Sequence, residues 1–325
     1  MTQTQTLNRP GCSSAGRLML SNIGRIGDSI LCNSILDSAF RTYGTVDYLC
    51  GRHNAEIFRS ESRLNQVVVY RNSLAGFVLL CKSVLSHRYD GFIDLKCHDS
   101  TTSLILAQLF RSRVKTGCNR DRFRPFHRDA GSICALAVHK VEKIRRIGEL
   151  AGLTAGEYKP SLALSPNSTD WFRRSYAWEQ PFVLLNLSAT HSDRMWPVEN
   201  WARYVRGCGL DPKSILVNGL PRDQEMVRQL CRELPGAVPF QPRHFMDVAA
   251  AVAGARLVLT GDTGVVHACS ALDKPIVALF CASSYAVENG PLSTRRLMIR
   301  PQHGRSVPDI DPEQAIAETQ RHGLP

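Results

Sequence analysis

The sequence predicts an α/β fold built as two doubly wound parallel-sheet domains facing across a cleft. Short apolar runs alternate with segments of helical periodicity along the chain. Those runs are continuously apolar, as strands covered on both faces are, and do not alternate as half-exposed strands would. The 325 residues also suffice for two domains, at roughly 150 residues each.

Residues 1–16 are polar, lack the apolar core of a secretory signal and read as a flexible extension. The first domain, 17–160, has expected strands at Arg17–Ile23, Thr45–Cys50, Gln66–Tyr70, Gly91–Leu95 and Arg113–Thr116. Helices are expected at Ser29–Tyr43, Ser73–Ser86, Ser100–Phe110 and Ser132–Ala151. In the first of these, Leu31, Ile35 and Ala39 recur on one face, and Gly44 stands where a helix-ending glycine belongs. The Pro- and Ser-rich run around 161–170 breaks the rhythm and reads as a linker. The second domain, 171–303, has expected strands at Phe182–Leu187, Ser214–Asn218, Arg256–Leu259, Pro275–Phe280 and Arg296–Ile299. Its expected helices are Pro197–Gly207, Asp223–Leu234, Met246–Ala253 and Gly264–Leu272, and a helix is also expected in the tail, 304–325. Trp196 and Trp201 read as core residues, and no internal sequence repeat relates the halves.

Hydrophobic residues make up 43% of the chain, but no uncharged apolar run approaches the ~18 residues that would span a bilayer. Eleven cysteines are scattered without a C-x-x-C pair, which points to small buried hydrophobes in a reducing compartment and not to zinc ligands or disulfides. The net charge of +11 favours nucleic acid, an anionic lipid surface or a phosphorylated substrate. Part of it is concentrated in "FRSRVKTGCNRDRFRPFHRD", which contains Arg120, Arg122 and Arg124. A solvated surface would account for that segment equally well.

Two strand-to-helix turns carry the chemistry. In "RLVLTGDTGVVHACSAL", Gly261 and Gly264 let the backbone approach a ligand, and the helix start offers N–H groups and a positive dipole end to a phosphate. Asp262 or Thr263 could instead serve only as a cap, and His267 as a core histidine. Arg194, between a strand ending at Ser188, Ala189 and Thr190 and the "WP" that opens a helix, is poised to meet the same anion. The other turn, "NIGRIGDS", has half of a dinucleotide fingerprint. There Asp28 would repel a bound pyrophosphate, whereas a carboxylate facing a cleft suits proton removal from a nucleophile; its bland reading is a helix N-cap. Arg52, near the end of the second strand, keeps an NADP-linked reading open.

Taken together, "RIGDSILCNSIL", "SDRMWPVENW" and "GDTGVVHACSALDKPIVALF" resemble, in order and spacing, the three signatures of the ADP-heptose:lipopolysaccharide heptosyltransferases, glycosyltransferase family 9. "ENGPLSTRRLMIRP" resembles a Pro-Leu-Ser segment of the family's second-heptose enzymes. The resemblance implies a GT-B fold of two Rossmann-like domains and an inverting transfer of heptose from an ADP-sugar donor to a phosphorylated lipid A-core acceptor. It implies Asp28 as general base, and Gly27, Ser188, Thr190, Arg194, Asp262, Thr263, Gly264 and His267 around the donor. Arg120, Arg122 and Arg124 would meet the acceptor. No metal or cofactor would be required, although divalent cations could stimulate. The enzyme would be cytoplasmic, attached peripherally to the inner face of the inner membrane, with no nucleic-acid partner. Ser34, Ser188, Cys281 and Ala282 depart from the family pattern. Rival readings are a member using another nucleotide sugar or a protein acceptor, and a non-catalytic polyanion or nucleic-acid binder, whose binding would be strongly salt-sensitive.

Overall fold

The computed structural model describes residues 16–71, 73, 76, 78, 80, 87–98, 100–176, 180–283 and 285–324. The expected N-terminal extension, apart from Gly16, and most of the helix expected at Ser73–Ser86 lie outside these residues. The chain divides into two compact units, one comprising Met1–Arg25, Cys32–Leu136 and Val141–Lys159 and the other Ile26–Leu31, Ala137–Lys140 and Pro160–Pro325. The second unit therefore recruits two short pieces of the first half of the chain.

In the first unit the strands are β1 (Gly16–Asn22), β2 (Gly44–Gly51), β3 (Gln66–Tyr70), β4 (Tyr89–Asp94), β5 (Ser112–Gly117) and the two-residue β6 (Arg128–Asp129). They pair in parallel in the order β3-β2-β1-β4-β5-β6, the doubly wound order whose direction reverses between β1 and β4. Met19, Leu49, Phe92, Phe110 and Phe126 form part of the core. Asp47 is fully buried. It is held by the Arg17 guanidinium at 2.7 Å, by Asn65 Nδ2 at 2.8 Å and by the Tyr89 hydroxyl at 3.0 Å. Its carboxylate thus has structural partners, which weakens any reading of this sheet as a dinucleotide site.

Asp94 closes β4 beside Ser21 and is 1% exposed. Burial pushes its carboxyl from 3.8 up to about 7, against smaller opposing pulls from Ser103, Lys96 and Ser21. Because the folded form holds the proton more tightly than the unfolded chain, stability present in acid is lost as pH rises between those two values. Asp94→Asn should remove this loss. Urea denaturation of both proteins between pH 4 and 7.5 should show the variant gaining on wild type as pH rises, by on the order of 4 kcal/mol; a constant gap would contradict the assignment.

The second unit repeats the topology without repeating the sequence. Its strands are β7 (Val183–Asn186), β8 (Ile215–Asn218), β9 (Val238–Phe240), β10 (Leu257–Gly261), β11 (Ile276–Leu279) and β12 (Arg296–Ile299). They run parallel in the order β12-β11-β10-β7-β8-β9, so the reversal falls between β7 and β10. Trp196, Trp201 and Tyr204 meet edge to face in the core. The tail helix at Pro312–Arg321 exists and is tied down by Tyr204 OH to Thr319 Oγ1 at 2.8 Å, while Trp196 Nε1 donates to Ile310 O just ahead of it at 3.0 Å.

Several elements differ from expectation. The helix expected at Ser29–Tyr43 starts earlier, as α1 (Ile26–Cys32), and passes through a 3-10 turn at Asn33–Ile35 before α2 (Leu36–Tyr43). Asn33 and Ser34, both buried, lie at that interruption. Gly44 does have the positive φ of a helix-ending glycine, 73°, but begins β2 directly. The long helix expected at Ser132–Ala151 is two pieces, Gly131–Cys134 and Lys140–Leu150. Ala137–Lys140 belongs with the second unit, and His139 Nε2 meets Gly290 O there at 3.1 Å, so a tertiary contact overrides local propensity. The expected linker at 161–170 is helical from Pro166, in a helix running to Ser175 that opens with Pro at its first turn. Strand β9 was not foreseen, because Pro239 masks it and is tolerated only on this edge.

The cysteines among the described residues are free thiols. The fold nonetheless brings Cys118 Sγ to 2.9 Å from Cys134 Sγ, a proximity invisible in their spacing. Among the described residues no helix is long and apolar enough to cross a membrane.

Candidate functional site in the second unit

Strands β7 and β10 are neighbours at the point where the second sheet's order reverses, where ligands collect at carboxyl ends in such sheets. Asn186, the last residue of β7, ties these ends together. Its Nδ2 donates to Thr260 Oγ1 at 3.0 Å and Thr263 Oγ1 at 3.4 Å, and its Oδ1 accepts from Asn218 at 2.7 Å. β10 runs through Gly261 into helix α3 (Gly264–Leu272), which Thr263 caps by accepting the Val265 N–H at 3.2 Å. A Cβ on Gly261 would sit 2.7 Å from Arg194 O, so the two loops approach backbone to backbone and only glycine permits it.

That approach places Arg194 Nη1 2.9 Å from Asp262 Oδ2, with the two side chains 20% and 5% exposed. The guanidinium also lies over the Tyr285 ring, 4.6 Å from its centroid. The two residues line a cavity of about 430 Å³ together with Cys281, Ser283, Tyr285 and Arg305. Two cations, Arg194 and Arg305, therefore border a concave polar space beside the N-terminus of α3, an arrangement suited to an anion. Asp193 and Asp262 are the opposing charges on the same lining, and Asp262 is the one paired with Arg194.

The segment Ile26–Leu31 meets the same turn. A Cβ on Gly27 would stand 2.4 Å from His267 Cδ2 and 3.3 Å from Gly264 Cα. Gly27→Ala must therefore displace the imidazole or open the turn, at roughly 1–3 kcal/mol for such overpacking. A lowered thermal midpoint is expected, and an unchanged one would mean that the two segments do not touch. Asp28, the third residue of α1, is not an N-cap; it lies inside the first helical turn, where the dipole favours a carboxylate. Its Oδ1 is 2.5 Å from Lys140 Nζ. His267 is 5% exposed, and its Nδ1 has no hydrogen-bond partner among the described residues. Burial pushes its pKa down to about 3, with Asp28 pulling the other way and Lys140 and His139 adding to the depression. The imidazole is thus neutral, and a buried ring nitrogen remains available to a ligand group.

Other predicted residues lie less centrally. Ser188 is buried, and its hydroxyl accepts the Leu220 N–H at 2.7 Å. Thr190 is exposed, its carbonyl 3.5 Å from Arg222. In the first unit Arg120, Arg122 and Arg124 are all exposed. Arg120 and Phe123 close a tight turn, Arg120 Nη1 reaches Thr101 at 3.4 Å, and Arg124 pairs with Asp129 at 3.0 Å. Lys140, Tyr285 and Arg305 were missed. Lys140 sits where the sequence reads as helix interior, and Tyr285 and Arg305 lie a few residues beyond the quoted signature segments.

Residues 78–316 match the sequence profile of glycosyltransferase family 9 (heptosyltransferase). Lipopolysaccharide heptosyltransferase 1 of Salmonella typhimurium is 24% identical over 203 residues, covering 61% of this chain and 63% of the relative. The enzyme of the same name from Escherichia coli K12 is 28% identical over 96 residues, 29% of this chain and 30% of the relative. The chain thus spans under two thirds of the length of these curated relatives. Among solved structures, the family 9 glycosyl transferase of Veillonella parvula superposes with a TM-score of 0.81 at 19% identity, over 96% of this chain and 98% of that one. E. coli heptosyltransferase WaaC with ADP superposes at 0.76 and 18%, over 94% and 99%. E. coli ADP-heptose heptosyltransferase II does so at 0.75 and 17%, over 95% and 98%. The two doubly wound sheets are those of the GT-B fold. With its profile match spanning most of the sequence, the chain belongs to glycosyltransferase family 9.

Proposed function

We propose that the protein is an inverting glycosyltransferase that moves a heptose from ADP-heptose to a lipopolysaccharide inner-core acceptor, with Asp28 as general base. The observation that carries this reading is the position of Asp28. It stands next to Gly27, which lies against His267 and Gly264 at the mouth of α3, the turn best suited to a diphosphate. The names of the relatives and the ADP held by one structural neighbour support the choice of donor and acceptor class.

In this reading Asp28 takes the proton of the acceptor hydroxyl as its oxygen attacks the anomeric carbon from the face opposite the diphosphate. The C–O bond to the diphosphate breaks, and ADP leaves with its new charge met by Arg194 and the α3 N-terminus. Arg194 must exchange Asp262 for phosphate oxygens, and its stacking on Tyr285 keeps the guanidinium plane in place during the exchange. The reaction needs no resident metal, and divalent cations act at most as stimulants. Arg120, Arg122 and Arg124 would meet phosphate groups of the acceptor at a membrane surface, which the chain would reach peripherally from the cytoplasmic side.

The test is ADP release from ADP-heptose with heptose-deficient lipopolysaccharide. Acceptor-dependent release supports the reading. Release only with UDP- or GDP-sugars in the same assay would replace the donor, and release with a peptide acceptor alone would replace the acceptor.

A further inference from the structure

We infer that Lys140 is a positioning residue for Asp28, holding one carboxylate oxygen so that the other is presented to the acceptor hydroxyl. The inference rests on the reading of Asp28 as general base. Its first support is geometric: Nζ lies 2.5 Å from Oδ1, and the two side chains are 16% and 30% exposed, so the pair is partly withdrawn from water. An ion pair fully in solvent would do little to fix a side chain. At this degree of burial, a charge-assisted hydrogen bond selects one carboxylate orientation.

The second support is how the backbone delivers the lysine. Residues 135–139 interrupt what local propensity would make one helix, and Ala137–Lys140 joins the second unit, with His139 bonded to Gly290 O at 3.1 Å. Lys140 is then the first residue of the helix Lys140–Leu150. A cation at a helix start is opposed by the helix dipole, so local helix energetics do not explain its placement, whereas Asp28 does. Among the described residues, the histidines His267 and His139 also face the pair, and Glu288 acts on His139. Both histidines have pKa values lowered by burial and are neutral at physiological pH. Lys140 is paired with Asp28 at this point.

The decisive experiment is a double-mutant cycle on turnover, using the donor–acceptor pair that the sugar panel selects. Lys140→Met should lower kcat by ~10–100-fold, the scale on which misplacing a reacting group acts, with donor KM unchanged and ADP affinity by calorimetry unchanged. Lys140→Arg should recover part of the loss, and it serves as the second variant if the methionine protein folds poorly. Combining Lys140→Met with Asp28→Asn should be no slower than Asp28→Asn alone, since both act through one carboxylate. Wild-type or faster turnover in Lys140→Met, or losses that multiply in the double variant, would overturn the role of Lys140 while leaving Asp28 as base. Undiminished turnover in Asp28→Asn alone would overturn both.

Discussion

Asp28→Asn is expected to abolish most turnover, by ~10²–10⁴-fold in kcat, the usual contribution of one general base, while ADP still binds with wild-type affinity. Asparagine keeps the size of the side chain and can still meet Lys140, so the helix start and its contact with His267 should survive. Gly27, the neighbour whose missing Cβ makes that contact, is untouched. The measurement is initial rate against donor concentration, paired with calorimetric titration of ADP. Loss of ADP affinity in parallel with turnover would make Asp28 a binding residue. An unchanged rate would move the base elsewhere.

Arg194→Met should show two separable effects. Nucleotide affinity should fall by ~10–100-fold, as charge-assisted hydrogen bonds of roughly 1.5–3 kcal/mol are lost. Stability should also fall by roughly 3 kcal/mol, because Asp262, its side chain 5% exposed, is left as a buried carboxylate without its guanidinium. The N-terminus of α3 offsets part of that cost. Adding Asp262→Asn removes the stranded charge, so the double variant should regain stability in urea denaturation and still bind ADP weakly. Recovery of ADP affinity together with stability would show that Arg194 serves only to neutralise Asp262.

Much of the fold was legible because its strands are buried on both faces. Val183–Asn186 and Ile276–Leu279 are buried at every position and fall within the expected strands, and Gly264–Leu272 is bounded by Thr263 and Asp273, residues that start and stop it locally. What was not legible depends on contacts distant in sequence. The break before Lys140 arises from His139 and Gly290, far apart in the chain. Pro166 read as a chain-breaker because composition does not distinguish a proline that opens a helix from one in a connection. In the site, glycines and charged residues at strand ends pointed to Gly27, Asp28, Asp262 and Gly264, since turn chemistry is local. Lys140, Tyr285 and Arg305 become neighbours of the site only through tertiary folding, so no spacing along the chain announces them.

The discontinuity of the second unit bears on how the protein can be dissected. A fragment beginning at Pro160 would carry the Arg194–Asp262 pair and the capped helix but neither Asp28 nor Lys140. It would also expose the side of His267 that Gly27 now covers. Splitting the gene at the midpoint therefore cannot yield independent modules. Exchanging the C-terminal half for that of another family member would mismatch six residues, Ile26–Leu31, against a surface they did not evolve with. A chimera that keeps Ile26–Leu31 and Ala137–Lys140 with their own C-terminal half respects the true seam.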